Sequence, residues 1–94
     1  MTAEEFKNLS KPDPCFSPEL KALWLDYSGD WAGAHEVIDP LPGRSAARVH
    51  AYLHRKEGDL WNADYWYGKA GEKRPNLALP EEWETLLIRF LKDS

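Results

Sequence analysis

The strongest constraint on this chain is an internal repeat. Gly29-Asp30 recurs as Gly58-Asp59, 29 residues further on. Alanine stands seven residues before each glycine, Ala22 and Ala51, and five after, Ala34 and Ala63. A large residue follows at nine, Ile38 and Tyr67, and the pair Leu41 and Ala70 at twelve. A glycine that accepts positive φ turns one helix sharply into the next. Alanines on either side let the two antiparallel helices approach, and the large residue fills the space beside them. The spacing therefore predicts two tandem helical hairpins.

Start and stop signals place the remaining helices. Thr2 to Glu5 has the spacing of a capping box, with a short helix to about Leu9. Lys11-Pro12-Asp13-Pro14 breaks the chain. Ser17-Pro18-Glu19 opens a helix to about Tyr27, and Asp30 caps another from Trp31 to about Ile38. Pro40, Pro42 and Gly43 stop it. A longer helix is expected from about Ser45 to Glu57, and Asp59 caps the next, Leu60 to about Ala70. After a loop containing Pro75, Pro80-Glu81-Glu82 opens the last helix. There Trp83, Leu86, Leu87, Phe90 and Leu91 form one apolar stripe. No segment alternates with period two. The expectation is a single all-α domain over 1–94: an N-terminal arm (1–16), a first hairpin (17–43), a second (44–75) and a C-terminal amphipathic capping helix (76–94).

Composition narrows the function classes. The lone cysteine, Cys15, excludes an internal disulfide and a cysteine-rich zinc site. No apolar run approaches the ~18 residues of a membrane span, and the acidic start, Met1 to Phe6, lacks the pattern of a secretory signal. The sequence thus reads as cytoplasmic, with no membrane partner. A net charge of -4 argues against nucleic acid. Residues 44–74 carry a net +3 between flanks of -5 and -2, which reads as charge matching between neighbouring helices.

Gly58-Asp59-Leu60-Trp61-Asn62-Ala63, then Tyr67, Ala70 and Pro75, resembles the second half of a tetratricopeptide or Sel1-like repeat, and the likeness extends over roughly residues 18–75. The units are shorter than the ~34 residues usual there. Leu25 and His54 replace the hydroxyl-bearing aromatic before the glycine, and Ala46 replaces the first unit's closing proline. The resemblance implies a helical-hairpin stack that binds a peptide in a groove, without catalysis. The segments from His50 to Asp59 and from Asn62 to Tyr67 are also similar to a group of small uncharacterised bacterial proteins, which implies a bacterial source.

On a helix over 46–57, His50 and His54 sit in the middle of the apolar arc, with Glu57 on the same line. His35, just after Ala34 on the preceding helix, is expected to face them, with Glu36 nearby. Three readings are open. The imidazoles satisfy buried partners such as Asp59, Asp64, Tyr67 or backbone carbonyls. Alternatively, His35, His50 and His54 hold a divalent metal such as zinc. As a third reading, they line a ligand or acid-base pocket. No nucleophile carries a flanking signature, so no catalytic residue is assigned.

The opposite side of that helix offers Arg48, Tyr52 and Arg55. In register with the first unit, Glu19 faces Arg48 and Asp26 faces Arg55, giving either surface ion pairs or a groove for a peptide carboxylate. On the helix 60–70, Leu60 and Trp66 are expected to face the stack, and Trp61 and Tyr65 the last helix; if uncovered, those two form a partner or dimer surface. The sequence therefore reads first as a non-enzymatic helical module that binds a protein, a peptide or its own copy. The alternative is a small histidine pocket for a metal ion or ligand.

Overall fold

A computed structural model describes residues 1–93. Its six helices are α1 (Ala3–Lys7), α2 (Pro18–Tyr27), α3 (Trp31–Ile38), α4 (Arg44–Lys56), α5 (Leu60–Lys69) and α6 (Leu79–Asp93). Among the described residues there is no strand.

The repeat forms two hairpins, α2/α3 and α4/α5, each turned by its glycine. Gly29 has φ 97° and Gly58 φ 89°. Each following aspartate does two jobs. The Asp30 N–H donates to Leu25 O at 2.8 Å and the Asp59 N–H to His54 O at 3.0 Å, closing the helix behind. Their carboxylates accept from Gly33 N and Asn62 N, capping the helix ahead. Ala22, Ala34, Ala51 and Ala63 are wholly buried, as close helix approach requires.

α4 is the central element. It packs on α5, α3, α2 and α6, and every residue from Ala46 to Leu53 is buried. α6 lays its stripe on α1, α2 and α4. Trp83, Leu86, Leu87 and Phe90 thereby enter the core, each contributing about 1.5–3 kcal/mol on burial. The N-terminal arm is part of the same core: Phe6 is fully buried, stacked on Phe16 at 5.2 Å and against Trp83 at 6.0 Å.

Several expectations are corrected. α6 does not cover the outer face of α5; its apolar stripe packs on α1, α2 and α4 instead. Trp61 is left 78% exposed and Tyr65 49%, and Leu60, expected to face the stack, is 44% exposed as well. The peptide groove over Arg48, Tyr52 and Arg55 is filled by the chain's own α6, so Arg48 and Tyr52 are buried. Nor does the expected pairing of Glu19 with Arg48 and Asp26 with Arg55 form. Arg48 Nη1 lies 2.8 Å from Glu82 Oε2, and its Nε donates to Glu72 at 3.0 Å. Arg55 donates to Glu82 Oε1 at 2.7 Å and to Leu77 O. Asp26 instead accepts from Tyr52 at 2.7 Å and Lys56 at 2.9 Å.

Candidate functional site

The three histidines converge where the first hairpin meets the second. His35 comes from α3; His50 and His54 lie one turn apart on α4. One ring nitrogen from each falls within 4.8 Å of the others, and His50 Nε2 stands 3.1 Å from His35 Nε2. The rings are held by packing. His35 stacks on Trp31 at 5.2 Å, and His50 is sandwiched between His54 at 4.8 Å and Trp66 at 3.9 Å. Trp31 is itself fixed, its indole N–H donating to Leu53 O at 2.8 Å.

The sequence readings named other partners for the histidines. Asp59 accepts from Asn62 and also brings an oxygen within 4.8 Å of His54 and Glu57, whereas Asp64 pairs with Arg74 and the Tyr67 hydroxyl donates to Glu82. Glu36 is exposed on the outer side of α3. Glu57 does reach the cluster, its Oε1 lying 2.6 Å from His54 Nδ1. One carboxylate was missed: Asp39 Oδ1 is 3.8 Å from His50 Nε2. Asp39 sits four residues after His35, and that i, i+4 spacing was the signal for it. The prolines around it read only as a stop.

Burial sets the charge state of this site. It pushes the His50 imidazole down to about 4, reinforced by the charges of His54 and His35 and opposed by Asp39. At neutral pH His50 therefore carries no charge, and one ring nitrogen has a lone pair free to accept a hydrogen bond or bind a metal ion. In the neighbouring network burial pushes the Tyr52 and Tyr67 hydroxyls up, helped by hydrogen bonds to Asp26 and Glu82. Both phenols remain protonated donors there.

The donor set is thus three imidazoles, one from α3 and an i, i+4 pair from α4, with the exposed Asp39 carboxylate just past the end of α3 at its edge. Tetrahedral zinc with ligand bonds of 2.0–2.1 Å places neighbouring nitrogens about 3.3 Å apart. The 3.1 Å separation of the His35 and His50 nitrogens already meets that spacing. No family model matches the chain, and no curated protein or solved structure is significantly similar to it.

Proposed function

We propose that the protein is a non-enzymatic helical module that binds one divalent transition ion, zinc foremost, at the junction of its two hairpins. His35, His50 and His54 are the ligands, and Asp39 completes the set. The observation that carries this reading is the convergence of His35 from α3 with His50 and His54 from α4, one ring nitrogen of each within 4.8 Å of the others. Imidazole nitrogen with one carboxylate suits zinc, nickel or copper and disfavours magnesium and calcium. The Glu57 contact to His54 Nδ1 supports it, because a ligating imidazole ordinarily has its second nitrogen fixed by a carboxylate. An ion held this way pins α3 to α4, so loading couples to the angle between the hairpins. The sequence reading of an open peptide groove loses its surface to α6.

The test uses purified protein stripped with chelator and titrated with zinc. The expected result is one equivalent bound and a melting temperature that rises with zinc concentration, since an ion that binds only the folded chain stabilises it by mass action. His50→Leu should fold and lose the response. Asp39→Asn should keep the stoichiometry and weaken affinity by about tenfold. A stripped protein whose melting temperature ignores zinc, nickel and copper alike would refute the assignment.

A further inference from the structure

A cavity of about 440 Å³ opens on another part of the molecule, between the ends of α1, α2 and α4 and the start of α6. Its volume lies within the range of small-molecule sites. The histidine cluster takes no part in it. Tyr27, Tyr52 and Trp83 supply aromatic walls, Leu79 and Pro80 an aliphatic one. Tyr27 and Trp83 stack with centroids 4.9 Å apart.

Two carboxylates, Asp26 and Glu84, also line it, and each already holds an ammonium group of this chain. Asp26 is buried, at 2% exposure, and Lys56 Nζ lies 2.9 Å from its Oδ1. Lys7 Nζ lies 3.2 Å from Glu84 and 5.9 Å from the Trp83 ring centroid. Both lysine heads sit on flexible four-carbon stems with part of their surface in water.

We propose that this cavity binds a small organic ammonium compound, a primary amine with a short apolar body. Its ammonium replaces Lys56 on Asp26 Oδ1, and its hydrocarbon lies against Tyr27 and Trp83. The chain's own lysines show what the cavity prefers: each of its two acids is met by an N⁺–H donor, and one of those ammonium groups lies over the Trp83 ring. Exchange of one ammonium for another conserves charge, and the displaced Lys56 head moves into water. An anion is disfavoured on the same geometry. It would have to sit beside Asp26 and Glu84 and against the negative faces of aromatic rings. Tyr52 stays on Asp26 Oδ2 at 2.7 Å throughout and fixes the direction of the free oxygen.

The test is a nuclear magnetic resonance titration of the full chain with phenethylammonium, read at the Trp83 indole N–H, which donates to Leu23 O at 3.0 Å. A saturable shift is expected. Lys56→Gln should tighten binding roughly two- to tenfold, because the competing internal ammonium is gone. Asp26→Asn should abolish it, with circular dichroism reporting whether that variant folds. Should it not fold, the comparison of Lys56→Gln with wild type decides alone. Phenylpropionate, the matching anion, should not bind. Saturation by the anion in place of the amine, Lys56→Gln binding no tighter than wild type, or no saturable shift in either protein up to on the order of 10 mM amine, would overturn the proposal.

Discussion

Glu82 Oε1 and Arg55 Nη1 stand 2.7 Å apart in the interior, on a carboxylate with no exposed surface. The second oxygen, Oε2, takes the Tyr67 hydroxyl and lies near the Arg48 guanidinium. One side chain of α6 thus accepts hydrogen bonds from Arg55 of α4 and Tyr67 of α5 and lies in ion-pair range of Arg48, whose buried Nη1 makes no hydrogen bond. Removing it strands buried charge, which costs far more than the pair contributes on balance. Glu82→Ala should destabilise the chain by about 3–5 kcal/mol, read as a lower urea midpoint. Glu81→Ala, one residue earlier and exposed, should lose only its contact to the Ala78 N–H at 3.0 Å, about 0.5–1.5 kcal/mol.

That contrast marks what the sequence made legible. Both hairpins followed from local chemistry: a glycine turn, an aspartate cap and small residues at fixed offsets determine their own geometry. The site was half legible, because His50 and His54 share a helix face and the offset of His35 points at them. The seat of α6 was not legible. Its apolar stripe fits any large apolar surface, and nothing local distinguishes the buried Glu82 from the exposed Glu81. Phe6 and Asp39 were missed for a related reason. Each lies beside a chain break, and its partner is fixed only by long-range packing.

The metal-free protein should lose stability on mild acidification through His50. His54 on its own helix, His35 on α3 and Asp39 just past the end of α3 face it. Its folded value of about 4 lies below the unfolded 6.5, so the unfolded chain binds more protons between those values. Stability is complete above pH 6.5 and falls as pH drops toward 4, by on the order of 3 kcal/mol. Chemical denaturation at steps across that window should show the decline, and His50→Leu should flatten it. Equal slopes in the two proteins would assign the loss elsewhere.

A second acid-linked loss lies lower. Arg89, and secondarily Arg48, hold the Glu72 carboxyl below its ordinary 4.5. The folded form therefore binds protons less readily than the unfolded one, so its stabilisation is present above pH 4.5 and is lost as pH falls below it. Glu72→Gln should erase this component while leaving the His50 window intact. Glu72 is partly exposed, so added salt should weaken the effect.

Tryptophans at opposite ends of the exposure range should behave differently. Trp83 fills the space between α1, α2 and α6 and donates to Leu23 O at 3.0 Å. Trp83→Ala should cost about 3–5 kcal/mol. Trp61, at 78% exposure on the outer face of α5, should change stability by no more than about 0.5 kcal/mol when replaced by alanine. Equilibrium unfolding of the two variants in parallel measures both; a large loss at Trp61 would place it in a contact with another chain.

Replacing single glycines with alanine separates backbone conformation from crowding. A Cβ at Gly29, Gly58 or Gly68 meets no heavy atom within 4 Å, so sterics with neighbours contribute nothing at any of them. Gly29 and Gly58 hold φ at 97° and 89°, where a Cβ meets its own backbone. Alanine there should cost roughly 1–2 kcal/mol. Gly68 lies within α5, without positive φ, and alanine there should stabilise by roughly 0.5–1 kcal/mol. The Asp26–Lys56 ion pair links the two turns, and Gly29→Ala and Gly58→Ala should add within about 0.5 kcal/mol unless that pair is disturbed. Thermal or urea unfolding reads all four proteins. A loss at Gly68 equal to that at Gly58 would mean that space, and not positive φ, sets the glycine requirement of these hairpins.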